Sequence, residues 1–345
     1  MSNVSAKAQG TERRGMSPAA RSALKFVSEN IIILLIVALS IVVAIMKQNF
    51  ISEANGRNLL GNITPRFIIA LGVSGALITK GTDLSAGRVA GFAACAASVM
   101  LQNPDYVNRL FPWMPYMAWP VALLIVLALC AVIGMVNGMV IAFFKVPPFI
   151  ATLGMQTLVY GISLVATGAQ PIGSLRSDFT SLAQGYVGLE IITYLALTAL
   201  VVGFLMYVLY NHTRYGKYMY AIGGNESAAE VAGIKVNKMK ILIYALAAVL
   251  YGLCGFVLAA KSGGASVNTA MGYELEAIAG CTIGGVSVNG GVGKVSGILI
   301  GVLVFEVLKL AMQFLGVKTD YTYIVQGLVI VVAVALDLRK YLAKK

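Results

Sequence analysis

Apolar runs separated by short polar stretches recur along the chain from Ile31 to Leu338. In order they cover residues 31–46, 67–79, 84–101, 117–144, 149–167, 189–210, 241–260, 275–288, 295–317 and 321–338. A helix needs about 20 residues to cross the hydrocarbon core of a bilayer. These runs are continuous rather than alternating, so they read as helices. The chain is therefore expected to be an all-α polytopic membrane protein with about ten transmembrane helices. Composition agrees: 59% of the 345 residues are hydrophobic and only 12% are charged. That balance excludes a soluble enzyme, a disordered chain and a secreted disulfide scaffold.

Two runs, 67–79 and 275–288, are short, extending only about 20 Å at 1.5 Å per residue. Both contain glycine: Gly72 and Gly75 in one, Gly280, Gly284 and Gly285 in the other. They read either as broken or re-entrant helices lining a pathway or as full helices whose ends reach beyond the apolar run.

Charge sets the orientation. The chain carries 26 Lys and Arg against 14 Asp and Glu, a net +12. In a membrane chain that excess points to basic loops facing the cytoplasm and anionic lipid, with no call for nucleic acid. With a cytoplasmic N-terminus and ten crossings, most of the 26 basic residues fall on the inside, which places both termini in the cytoplasm. Residues 1–25, with Arg13, Arg14, Arg21 and Lys25, read as a flexible basic tail. Residues 26–345 read as one transmembrane domain with a long cytoplasmic loop at 211–240. The run 31–46 meets Lys47-Gln48-Asn49 instead of a small-residue cleavage site, so it reads as an uncleaved span. The aromatic residues of 103–119, among them Trp113 and Tyr116, read as an interfacial anchor on the opposite side.

No catalytic constellation emerges. Cys95, Cys130, Cys254 and Cys281 sit in apolar runs without CxxC spacing, and His212 is the single histidine, so neither a metal site nor a disulfide framework is expected. Gly290-Gly291-Val292-Gly293-Lys294 lacks the hydroxyl residue after lysine and the first glycine of a phosphate loop. It reads as a tight turn between two spans. No cofactor is expected in the chain.

Five features stand out. Thr152, Gln156, Tyr160, Ser163 and Thr167 recur at helical spacing on one face. They either line a solute pathway or hydrogen-bond to neighbouring helices. Asp83, just before Leu84-Ser85-Ala86-Gly87, reads as a structural helix N-cap, a proton relay being the sharper alternative. Glu306 and Lys309 stand three apart within a span; they read as a structural ion pair, with ion coupling as the rival. Gly134/Gly138 and Gly297/Gly301 are GxxxG pairs that predict close helix packing. Within the loop 211–240, Asn225 suits an N-cap, Ala228, Ala229 and Ala232 favour helix, and Gly233 suits the stop. The loop thus offers one short, small-faced helix able to transmit force from a partner.

The loop 221–234 resembles the coupling loop of the ribose/galactose-type ABC importer permeases. Gly81-Thr82-Asp83-Leu84-Ser85-Ala86-Gly87-Arg88, Thr152-Leu153-Gly154, Tyr273-Glu274-Leu275-Glu276 and Gly284-Gly285-Val286-Ser287 match the same family in order, from about residue 60 onwards. The likeness is strongest to its galactose and methyl-galactoside branch. The resemblance implies a type II ABC importer-like permease of the bacterial inner membrane that moves a neutral monosaccharide by alternating access. It also implies a second copy of the chain, an ATP-binding cassette ATPase that supplies ATP and Mg, and an external sugar-binding protein. The permease would have no ATPase site of its own. The resemblance assigns ATPase docking to Asn225, Glu226, Ala228, Ala229, Glu230 and Gly233, and Thr152, Gln156, Tyr160 and Ser163 are carried as the pathway. The rival class is an ion-coupled secondary transporter, with Glu306 or Asp83 as the coupling carboxylate.

Overall fold

A computed structural model describes residues 31–187 and 192–342. The tail assigned to residues 1–25 lies outside them. In chain order the helices are α1 Ile31–Met46, α2 Glu53–Ile78, α3 Ala86–Met100, α4 Trp119–Phe143, α5 Pro148–Thr167 and α6 Ser177–Gln184. A two-stranded antiparallel ribbon follows, β1 Tyr186–Val187 with β2 Ile192–Thr193. Then come α7 Tyr194–His212, α8 Arg214–Gly224, α9 Glu226–Val231, α10 Val236–Ser262, α11 Tyr273–Ile283, α12 Val295–Phe314 and α13 Thr319–Leu342. Each apolar run of the sequence overlaps a helix, the run 189–210 from Tyr194 onwards. Seven of these helices, α2, α4, α5, α7, α10, α12 and α13, are long and apolar enough to cross a membrane, and α1 and α3 are shorter apolar helices.

The long helix α10 is the hub, packed against α2, α3 and α4. The GxxxG pair on α4 explains its closest neighbour: a Cβ on Gly134 would overlap the Tyr244 carbonyl, and one on Gly138 would press on Ile241 Cα. Gly297 and Gly301 bring α12 onto α11 in the same way, against Gly284 and Gly280. In lipid, where burying apolar surface gives no driving force between helices, such backbone approach is the main source of cohesion. By contrast α4, α5, α7 and α13 keep large apolar side chains on the outside, including Leu124, Val165, Phe204 and Ile324.

The short runs resolve in opposite ways. Residues 67–79 are the second half of α2, a helix of 26 residues. Its first half is polar, with Asn55, Arg57, Asn58, Asn62 and Arg66, and so escapes an apolar search. The run at 275–288 stays short: α11 has 11 residues and stops at Gly284, about 17 Å of helix. The second half-length helix is α3, with 15 residues. Both follow the same pattern of long helix, extended segment, short helix. After α2, residues 79–85 reach Tyr251, which lies near the middle of α10, where Asp83 meets its hydroxyl. After α10, residues 263–272 pair first with Ile172 through Ala265 and then run along α3, so that Val267 reaches Arg88 and Ala270 reaches Gly87. The two short helices thus start near one another, deep in the bundle, from segments that enter from opposite ends. Non-helical backbone at such depth is tolerated where protein buries it or it lines a cavity.

Candidate functional site

The junction of α3 and α11 gathers polar groups that would be costly elsewhere in the bundle. Asp83 is buried. Its Oδ1 accepts from the Ser85 amide at 3.0 Å and from Ser85 Oγ at 2.6 Å, and its Oδ2 accepts from the Tyr251 hydroxyl at 3.1 Å. The N-cap residue of α3 is Ser85, so Asp83 braces the turn two residues earlier instead of capping the helix itself. Thr152 Oγ1 accepts from the Leu84 amide and donates to Thr82 O, both at 3.1 Å, which ties α5 to the extended segment. Arg88 donates to Val267 O at 3.0 Å and lies 4.1 Å from the centre of the Tyr160 ring. Glu274, in the first turn of α11, is buried against Gly87, and its Oε2 has no hydrogen-bond partner among the described residues.

The polar face of α5 therefore divides. Thr152 and Ser163 are buried, and Ser163 Oγ donates back to Val159 O at 2.8 Å. Gln156 and Tyr160 are half-buried.

At one end of the bundle the loop 211–240 folds into two helices where the sequence predicts one. Thr213 caps α8 and Asn225 caps α9, its side chain accepting from the Ala228 amide at 3.0 Å. Lys240 holds Glu226 at 2.8 Å. Lys80 donates to Gly224 O at 3.2 Å, and the Tyr220 hydroxyl donates to Gly293 O at 2.9 Å. The turn at 290–293 sits beneath α8. Its Gly291 amide donates to Ile78 O at 2.8 Å and its Gly290 amide to Ser287 O at 3.1 Å. Gly290 and Gly291 both have positive φ, at 84° and 74°, a conformation suited to glycine. With those two amides bonded inside the chain, the stretch forms a turn.

Of the docking residues assigned from the sequence, Asn225, Ala228, Glu230 and Gly233 are exposed and Glu226 is half-exposed. Ala229 is only 4% exposed. It faces the protein, because the short helix must bury one side to hold its place. Val231 is 91% exposed. A lone valine among small residues carries no sequence signal of such exposure.

Glu306 and Lys309 meet at 2.7 Å, as their spacing predicts, and they have company. Lys309 also contacts Glu276 at 2.6 Å, and Arg66 contacts Glu276 at 2.9 Å and Glu306 at 2.7 Å. The cluster alternates in sign and joins α2, α11 and α12. Two acids and two bases balance, which is the condition for keeping charge within a bundle.

Opposed half-helices that meet at a buried polar junction, in a bundle of long apolar helices, are the architecture of a membrane permease. The chain belongs to the permease family described as branched-chain amino acid transport system / permease component, which matches residues 57–334. It is 42% identical over 330 residues to the galactose/methyl galactoside import permease protein MglC of Escherichia coli K12, covering 94% of this chain and 98% of that one. The MglC protein of Haemophilus influenzae is also 42% identical, over 90% of this chain and 94% of its own. The ribose import permease protein RbsC of Bacillus subtilis is 36% identical, over 88% and 90%. No solved structure matches the chain.

Proposed function

We propose that the chain is the membrane-spanning subunit of an ATP-driven importer for a neutral monosaccharide, galactose or a methyl galactoside. The observation that carries this reading is the 42% identity to the galactose/methyl galactoside permease over nearly the full length of both chains. An ATPase supplies the energy from outside this chain, and an external binding protein delivers the sugar. Two copies assemble in the bacterial inner membrane, each with ten crossings and both termini inside. In that arrangement α1 supplies one of the three crossings beyond the seven long helices, and α3 and α11, each with the extended segment that precedes it, supply the other two.

The mechanism follows from what touches what. The exposed face of α9, with Ala228, Glu230 and Val231, meets the ATPase. Closure of the ATPase pushes α9 and, through Asn225, α8. Lys80 and the turn at 290–293 are bonded to α8, so the push reaches the C-terminal end of α2 and the segment entering the junction. There Asp83 and Arg88 hold α3 to α10 and to residues 263–272. A shift of α3 against α11 alters the α5 face, where Gln156 and Tyr160 meet the sugar. Amide and hydroxyl groups serve a neutral solute without charge. Two states with different affinity for solute on each side are what allow ATP to do work on its gradient.

The test is uptake into proteoliposomes holding the permease and its ATPase, supplied with the binding protein. Galactose uptake should require ATP and persist when proton and sodium gradients are collapsed. Uptake by the permease alone, driven by an ion gradient, would overturn the reading.

A further inference from the structure

A cavity of about 790 Å³ opens between the first half of α2, the ends of α6, α10 and α12, and the start of α7. It lies at the end of the bundle opposite α9. Its size is that of a small-molecule site, about 300–1,000 Å³. Asn55, Asn58 and Asn62 line it from α2 at helical spacing, with Gln313 from α12 and Gln184 from α6. One turn deeper than Asn62 stands Arg66, and one turn deeper than Gln313 stands Lys309. The charge cluster of Arg66, Glu276, Glu306 and Lys309 therefore lies one helical turn beyond the residues that line the cavity.

The chemistry of the wall is selective. Among the described residues no carboxylate lines the cavity. Its two cations are engaged: Arg57 pairs with Glu53 and lies over the Tyr186 ring, and Lys261 donates to Asn62 Oδ1. What remains for a guest is carboxamide, together with the hydroxyl residues Ser52, Tyr186 and Thr193. Asn55 donates to Phe50 O and Asn62 accepts from Lys261, which leaves Asn58, Gln184 and Gln313 to offer two donors and an accepting oxygen each, a complement to hydroxyls that donate and accept. The ring of Phe314 supplies an apolar surface beside them. We propose that this cavity is a binding site for a neutral polyhydroxy solute, in which each protomer holds a sugar at the end of the bundle opposite α9. The identity of that sugar rests on the function proposed above.

The four native cysteines are buried, so an introduced cysteine can report on the cavity. Ala54 and Ala183 both line it. The full chain carrying Ala54→Cys or, separately, Ala183→Cys is placed in nanodiscs and labelled with a hydrophilic maleimide. Galactose should slow labelling saturably, about tenfold at ten times its Kd. Adding Asn58→Leu or Gln313→Leu should abolish that protection, while labelling of Asn211→Cys at the other end stays indifferent to sugar. Three outcomes overturn the inference: no protection by galactose at either reporter, protection unchanged by both leucine variants, or protection by inorganic phosphate in place of galactose. If the complete importer carries galactose and the cavity is unprotected, the inference falls and the proposed function stands. If the cavity is protected and the complete importer carries no sugar, the inference stands and the proposed function falls.

Discussion

At the scale of single residues, the buried charges give the sharpest test. Removing one member of a buried ion pair leaves its partner uncompensated and costs about 3 kcal/mol or more, whereas replacing both by apolar groups is often tolerated. Glu306→Leu alone should therefore lower the thermal stability of the detergent-extracted protein markedly. The double change Glu306→Leu with Lys309→Leu should recover most of it, because Arg66 and Glu276 still hold each other at 2.9 Å. A double variant that is stable but unable to import sugar would give the pair a role in transport. Gly87 supplies a second test. A Cβ there would overlap the Glu274 carboxylate and the Ala270 carbonyl, whereas one on Gly154 meets open space. Gly87→Ala should wedge α3 from α11 and cut uptake at least tenfold at matched expression, with Gly154→Ala near wild type. Equal uptake by the two would mean that the junction yields freely. The sequence made Glu306 and Lys309 legible as a pair, since three residues of helix bring them together. It could not add Arg66, 240 positions earlier than Glu306, because only tertiary packing sets that neighbour.

At the scale of elements, α9 shows how a motif can be right in place and wrong in direction. Its cap at Asn225 and its stop near Gly233 follow from local chemistry, and both are present. Which side of six residues faces outward depends on the body it rests against. Val231→Asp places a charge at the exposed tip and should cut ATPase recovery in a pull-down by tenfold or more, a cost of about 1.4 kcal/mol or greater. Ala229→Arg should act differently: it forces a cation into a buried position and lowers the amount of folded permease in the membrane. Full ATPase recovery by Val231→Asp at matched expression would place docking elsewhere. The half-helices carry a related lesson. The short run at 275–288 does mark one of them, whereas the other hid in the run at 84–101, whose length of apolar sequence includes an extended entry segment. Hydropathy measures polarity and is blind to whether backbone is helical or extended.

At the scale of the whole molecule, the basic end with α8, α9 and Lys145 and the aromatic end with residues 103–119 should lie on opposite sides of the membrane. Val107 is 92% exposed in that aromatic segment, and Ser227 is exposed on α9. In spheroplasts an impermeant thiol reagent should label Val107→Cys directly and Ser227→Cys only after permeabilisation. Labelling of both from outside, or of Ser227→Cys alone, would reject an N-inside topology with ten crossings. The buried native cysteines keep the background low.

What the sequence determined by itself is everything governed by distances of a few residues along a helix. That covers the membrane class, the placement of the apolar helices, the close-packing glycines, the Glu306–Lys309 pair and the capped helix of the long loop. The polar first half of α2 escaped, since Asn62 and Arg66 look like loop residues until Lys261, Glu276 and Glu306 surround them. Only the tertiary structure decided that two extended segments enter the bundle from opposite ends, that Asp83 finds Tyr251, and that Ala229 turns inward while Val231 turns out. The reason is physical. Helix periodicity and hydropathy are local quantities, but the partner that makes a buried charge or an unwound backbone affordable comes from another helix, and that choice is made by packing.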